Sequence, residues 1–221
     1  MSYIDAIESR HSVRNYRPDR IEDSKVEKIR QMIDEINKEG NLHLQFIENA
    51  GNTYNKLLNR AMGLGSAPSV IGCVGADDET LDQRVGYYGE KLVLELQEMG
   101  LNTCWAGTFN RKNIPVEVGE GERLVISIAV GYGKDHGKPH KSKSAEQVIE
   151  AKGERPYWFN RGIEMALLAP TAVNQQKFLI CLNADHSVDI VDKGGILSQV
   201  DVGIVMRHFE IGSEKSVKKP F

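Results

Sequence analysis

Two short stretches at opposite ends of the chain constrain it most: Arg10-His11-Ser12-Val13-Arg14 and Ala169-Pro170-Thr171-Ala172-Val173-Asn174-Gln175-Gln176. The first packs two guanidinium groups and a hydroxyl into a few residues. A guanidinium fork binds phosphate oxygens bidentately, and a serine adds a neutral hydrogen bond. The second has a proline at its second position, which ends the helix before it, and carries a hydroxyl and three side-chain amides. Any fold for this chain has to present both stretches as loops between regular elements.

The periodicity supplies those elements. Residues 3–9 have helical spacing, with Tyr3, Ile4, Ala6 and Ile7 apolar, and Pro18 keeps the loop after Arg10 from returning to helix. Asp23 or Ser24 caps a second helix through about Lys38, with Val26, Ile29, Met32, Ile33 and Ile36 as its apolar face. Glu39-Gly40-Asn41 ends it. Leu42–Ile47 alternates as a strand, with Leu42, Leu44 and Phe46 on one face. Residues 53–62 predict a short helix with Leu57, Leu58 and Met62, broken by Gly63-Leu64-Gly65. No strand feeds those glycines and no G-x-G-x-x-G is complete, so they read as a plain turn.

Ser69–Ala76 is a short apolar run that predicts a buried strand. Leu81–Met99 is the strongest helix, with Val85, Tyr88, Leu92, Leu96 and Met99 on one stripe and Gly100 as a left-handed cap. Gly86 and Gly89 each cost about 1 kcal/mol of helix propensity against alanine, so another backbone is expected close to them. Residues 112–121 read as an irregular connection, and Leu124–Tyr132 is the clearest strand. Beyond a linker at Gly153–Pro156, a helix with Phe159, Ile163, Leu167 and Leu168 runs to Pro170. Phe178–Leu182 and Val188–Val191 predict a hairpin. Val200–Ile211 is apolar around most of its surface and should be buried.

Composition narrows the class. A chain of 221 residues, 40% hydrophobic, suits one large domain or two small ones, and a formal net charge of −3 argues against nucleic acid or a membrane surface. No apolar run approaches the ~20 residues that span a bilayer, and Met1–Asp5 lacks the pattern of a signal peptide. Cys73, Cys104 and Cys181 are odd in number and lie in apolar settings, as buried reduced thiols of a cytoplasmic protein would. His136 and His140 are separated by Gly137 and Pro139, so no helix presents them together and no metal site is expected.

Three further stretches complete a pattern: Cys104-Trp105-Ala106-Gly107-Thr108-Phe109, Gly131-Tyr132-Gly133, and the basic tract from Lys138 to Lys143. With R-H-S-V-R and P-T-A-V-N-Q-Q-K, they make the chain resemble the nitroreductase family of FMN-dependent oxidoreductases. In that family an R-x-S-x-R loop holds the FMN phosphate and ribityl chain, and a P-S-x-x-N-x-Q-P loop covers the flavin ring. Thr171 replaces the family's serine and keeps the hydroxyl, while Lys177 replaces the usual proline. The family's ring-covering loop is missing after the helix at 24–38 and appears only after residue 150.

The resemblance implies an α+β, nitroreductase-like fold: a central, mostly antiparallel sheet flanked by helices, in two pseudo-symmetric halves of one chain. Residues 1–150 would form the first half and 151–221 a trimmed second half, together one compact unit. Ordinary family members are homodimers in which each subunit supplies one loop to the partner's flavin. Here one chain carries one of each, which implies a pseudo-dimer with one FMN per chain, as monomer or homodimer. The implied cofactor contacts are Arg10, His11, Ser12 and Arg14; Ala106, Gly107 and Thr108; Lys141 and Lys143; and Pro170, Thr171, Ala172, Asn174 and Gln176. Arg10 and Ser12 would hold the phosphate with Lys141 or Lys143, and Arg14 would lie by N1 and O2. The amides of Gly107 and Thr108 would face N5. The implied activity is ping-pong hydride transfer from NAD(P)H through N5 to a nitroaromatic, quinone or other electron-poor acceptor, with no side chain needed as general acid or base. A non-catalytic flavin store or sensor is the alternative, which NAD(P)H oxidation with an acceptor would discriminate.

Overall fold

A computed structural model describes residues 2–50, 53–54, 67–107, 114–151 and 153–221. The chain divides into two compact units that interleave in sequence. One comprises Met1–Ser9, Asp82–Lys91 and His140–Phe221, and the other Arg10–Leu81 and Leu92–Pro139. This division follows no single cut of the chain.

The unit beginning at Arg10 is built on an antiparallel sheet of β1 (Leu42–Glu48), β2 (Ser69–Ala76), β3 (Asn102–Ala106) and β4 (Glu122–Gly131), in the order β1-β2-β4-β3. The two central strands, β2 and β4, are buried over most of their length, as their near-continuous apolar sequences require. Leu42, Leu44 and Phe46 of β1 are buried and alternate with half-buried neighbours. Helix α2 (Asp23–Gly40) buries Val26, Ile29, Ile33 and Ile36, while Met32 is half-buried. Each such side chain, fully removed from water, stabilises by roughly 1.5–3 kcal/mol. The N-cap is Glu22 and makes no side-chain cap hydrogen bond, in place of the expected Asp23 or Ser24. Asn41, with φ +48°, closes the other end in the left-handed conformation.

Two side-chain amides act as surrogate backbone here. The Asn37 carboxamide donates to Leu44 O (3.0 Å) and accepts from Leu44 N (2.7 Å) on the edge strand β1. Gln45 does the same to Glu117, at 2.7 and 2.8 Å, and so pins the irregular segment before β4. The first satisfies groups that an edge strand otherwise leaves open, and the second satisfies those of a segment with no regular pairing of its own. The helix expected at 53–62 lies almost wholly outside the described residues.

The second unit holds a three-stranded sheet of β5 (Ile149–Ala151), β6 (Phe178–Leu182) and β7 (Val188–Asp192), with β5 parallel to β6 and β6 antiparallel to β7. Its helices are α1 (Tyr3–Ser9), α4 (Tyr157–Ala166) and α5 (Ser198–Ser213); helix α3 (Leu81–Glu98) contributes Asp82–Lys91. Strand β5 was not legible in the sequence: three residues carry no period, and its parallel pairing is non-local. Helix α4 ends at Ala166, short of Pro170. Residues 200–206, 208 and 209 of α5 are all buried, which accounts for an apolar surface on every side. α5 crosses α3 where Gly86 meets Gly203. A Cβ on Gly86 would lie 2.1 Å from Val200 O, and one on Gly203 2.1 Å from Gln83 O. No helix among the described residues is long and apolar enough to cross a membrane.

Candidate functional site

The arginine loop follows α1 directly and is fixed to the free edge of β3. Ser12 forms a parallel bridge with Thr103, and Val13 N donates to Thr103 O at 3.0 Å. Tyr16 then pairs antiparallel with Gly133, while Lys134 N donates to Asn15 O at 2.9 Å and Arg17 N to Tyr132 O at 2.8 Å. Val13 and Tyr16 are buried beneath it. The turn after β4 closes over the loop: a Cβ on Gly137, whose φ is +71°, would lie 2.8 Å from His11 Cβ. Only a residue without Cβ, in a conformation natural to glycine, fits there.

The two arginines differ. Arg10 is 5% exposed, and its buried Nε has no hydrogen-bond partner among the described residues. Arg14 is exposed, and its Nη1 makes a long 3.5 Å contact with Ser12 O. Both guanidinium charges act on the Cys104 thiol. Burial pushes that thiol's pKa up, while Arg14, Arg10 and a hydrogen bond with Ser12 oppose the shift. Cys104, Trp105 and Ala106 form the last part of β3, so the expected flavin-facing stretch begins as strand, and Gly107 is exposed just beyond it. Thr108 lies outside the described residues. Arg10, His11, Ser12, Arg14, Ala106 and Gly107 thus belong to one unit.

The remaining sequence-predicted residues gather in the other unit, and there the basic tract docks on the Pro170–Gln176 loop. Gln176 is buried and central: its Oε1 accepts from Lys143 N (2.8 Å), and its Nε2 donates to Lys141 O (3.0 Å) and Asn174 Oδ1 (2.8 Å). Lys143 Nζ donates to Gln176 O at 2.7 Å. Asn174 Nδ2 donates to Lys141 O at 3.0 Å, and Thr171 Oγ1 accepts from Gln176 N at 3.0 Å. The polar atoms expected to face a ring therefore hold the loop's own shape. That shape is strained: Val173, Asn174 and Gln176 all have positive φ, at +46°, +55° and +46°. For a β-branched residue this is an outlier, costing of order 1–3 kcal/mol. Val173 is also 84% exposed, so no packing compensates it.

Two residues of this loop's support escaped the sequence reading. Asp201 of α5 is 6% exposed; its Oδ1 accepts from Ala172 N (2.9 Å) and its Oδ2 from Gln175 Nε2 (2.7 Å). Gln175 Nε2 also donates to Ile196 O at 2.8 Å. The available signal was a lone aspartate inside the apolar run Val200–Met206, since a buried carboxylate demands donors. Cys73 and Cys104 are buried, as expected, but Cys181 is partly exposed on β6. His140 is engaged with the chain, its Nε2 3.0 Å from Leu167 O.

The arginine loop thus lies on a sheet edge in one unit, and the strained, amide-braced loop lies in the other. The comparisons name the class. The family model described as "Putative TM nitroreductase" matches residues 2–213, and the chain belongs to this nitroreductase family. Among solved structures, a "putative nitroreductase" from Thermotoga maritima superposes with a TM-score of 0.69 at 22% identity, covering 96% of this chain and 83% of that chain. A nitroreductase-like protein from Streptococcus mutans gives a TM-score of 0.54 at 17% identity, over 67% of this chain and 96% of its own. A nitroreductase family protein from Streptococcus pneumoniae gives 0.52 at 14% identity, over 67% and 99%. No curated relative matches the sequence. The fold is that of the nitroreductases, a mixed helix and sheet structure with an antiparallel sheet. Family membership supports an oxidoreductase of the flavin type.

Proposed function

We propose that the chain is an FMN-dependent NAD(P)H oxidoreductase acting on small electron-poor acceptors such as nitroaromatics or quinones. The observation that carries this reading is Arg10, a buried guanidinium whose Nε has no acceptor among the described residues, in a loop fixed to the sheet edge. A buried donor without a partner costs about 1–3 kcal/mol, more when charged. A phosphate oxygen satisfies it, and Ser12 supplies a second donor beside it. When bound, FMN supplies the hydride chemistry, taking reducing equivalents from NAD(P)H and passing them to the acceptor. Arg14, exposed at the loop's far end, would supply positive charge to the pyrimidine side of the ring, where reduced flavin is negative. The loop from Pro170 to Gln176 forms the ring-side part, and its internal hydrogen bonds keep Thr171 and Asn174 from rearranging. Lys141 is exposed and suited to the phosphate, whereas the Lys143 ammonium is committed to Gln176 O.

One arginine loop and one P-T-x-x-N-x-Q loop per chain support a single-chain pseudo-dimer that binds one FMN. Three free cysteines fit a reducing, cytoplasmic setting. The test is the absorption spectrum of the purified protein before and after anaerobic NAD(P)H, with any chromophore identified by chromatography. A flavin band that bleaches with NAD(P)H and recovers with acceptor supports the reading. A band indifferent to NAD(P)H supports a flavin store or sensor, and a protein that does not bind added FMN overturns the assignment.

A further inference from the structure

We propose that Asp201 is the positioning residue of the Pro170–Gln176 loop, a carboxylate clamp that must be ionised to hold the loop in its flavin-competent shape. This rests on the flavin reading above and extends it to a residue on another element.

The geometry is specific. Each carboxylate oxygen of Asp201 receives one donor from the loop, Ala172 N on Oδ1 and Gln175 Nε2 on Oδ2. An ionised carboxylate accepts both donors strongly. Protonation replaces one acceptor site with an O–H and leaves the oxygens weaker acceptors, so the hold on the loop is weakened. Gln175 cannot rescue it by turning its amide over. Its Nε2 also donates to Ile196 O, and the flipped amide would set two oxygens against each other. The clamp straddles Val173 and Asn174, whose left-handed backbones are unfavourable on their own. A strained segment persists only where its surroundings over-determine it. Asp201 supplies that constraint on one side, and Gln176 with Lys141 and Lys143 on the other.

The clamp titrates within a biological range. Burial raises the Asp201 pKa to about 6, against the opposing hydrogen bonds from Gln175 and Ala172. Asp192, at the end of β7, is the charged group that faces it, and raises it further. Asp192 is itself held by Gly194 N, Ser198 Oγ and Gln199 Nε2. The sign follows: the folded-state pKa lies above the unfolded value of 3.8, so ionising Asp201 costs global stability as pH rises through about 6. The same ionisation completes the clamp. Loop order and Asp201's own contribution to stability therefore respond to pH in opposite directions.

The test reads the Ala172 amide by hydrogen exchange, which needs no flavin, together with FMN affinity. In the wild type, Ala172 protection is expected to fall about tenfold from pH ~7.5 to pH ~5, the loss of one hydrogen bond. Asp201→Asn, which cannot ionise, should show no such transition. Gln175→Met keeps the carboxylate but removes a donor that lowers its pKa, so the transition should move to higher pH. FMN affinity should follow the same transition in each protein, weakening about tenfold where the clamp is open. Protection independent of pH in the wild type, or an unmoved transition in Gln175→Met, overturns the clamp. A transition in Ala172 with FMN affinity flat across it overturns the link to the flavin. A wild type that binds no FMN at pH ~7.5 overturns the oxidoreductase reading and the loop's flavin role together, whatever the exchange shows.

Discussion

Lys143 holds Gln176 twice, through its backbone amide to the side-chain oxygen at 2.8 Å and through its ammonium to the backbone carbonyl at 2.7 Å. The basic tract and the loop beginning at Pro170 are therefore one structure, joined across a gap in sequence that no local pattern reveals. The ammonium neutralises no carboxylate in this contact. It satisfies a carbonyl in a strained backbone, and a charged donor there contributes about 1.5–3 kcal/mol.

The first prediction separates the two lysines. Lys143→Met should loosen the loop, seen as faster exchange of the Gln176 and Asn174 amides, with stability lowered by about 1.5–3 kcal/mol. Lys141→Met should leave loop exchange unchanged and reduce the salt dependence of FMN binding, since it removes an exposed charge. The paired measurement is amide exchange and FMN affinity at two salt concentrations. An exchange effect confined to Lys141→Met would reverse the roles.

The second concerns the arginines. Arg10→Ala removes the buried guanidinium and should weaken FMN binding by tenfold or more, about 1.4 kcal/mol per factor of ten, with little change in midpoint potential of the flavin that binds. Arg14→Ala should keep appreciable affinity and lower the potential by roughly 30 mV for each 1.4 kcal/mol of lost differential stabilisation. Hydride transfer from NAD(P)H should slow accordingly. Redox titration of both variants decides it: loss of FMN by Arg14→Ala at an unchanged potential would place the ring elsewhere.

The third tests the helix crossing. Alanine at Gly86 gains about 1 kcal/mol of helix propensity. It also sets a Cβ 2.1 Å from Val200 O, a distance that only movement of α5 can relieve. Overpacking costs typically 1–3 kcal/mol, so Gly86→Ala should be net destabilising by urea titration. Gly100→Ala, open around its Cβ but at φ +75°, should cost about 1 kcal/mol through backbone strain alone. Equal or raised stability in Gly86→Ala would refute the close approach.

The fourth concerns His208 and Glu90, both with no exposed surface. His208 Nε2 lies 2.8 Å from Glu90 Oε1, and Nδ1 lies 3.1 Å from Met165 O. Both ring nitrogens thus face oxygens, and Met165 O can only accept, so Nδ1 carries a proton. Removing one partner takes this contact from the other, in an interior closed to water. His208→Leu should therefore cost about 3–5 kcal/mol, with a smaller loss in the double variant with Glu90→Leu. A double-mutant cycle in chemical denaturation measures the coupling, and additive losses would show that the pair does not act as a unit.

The sequence by itself determined the elements whose pattern is local. Helix α2, strands β1, β2 and β4, the β6–β7 hairpin and the all-round apolar α5 are read from periods of 2 and 3.6, and the structure places each within a few residues. It also determined the family, because the R-x-S-x-R and P-T-x-x-N-x-Q stretches are contiguous in the chain. Gly86 announced its close contact, since a glycine in a strong helix needs a reason. Only the tertiary structure decided what satisfies each polar group. The Ser12–Thr103 bridge, the β5–β6 pairing, the Gln45 amide against Glu117, and the Asp201 clamp all join residues distant in sequence. Hydrophobic periodicity records which face is buried. It carries no record of which distant donor a buried carboxylate or lysine will meet, and at this site those pairings set the shape of the loop.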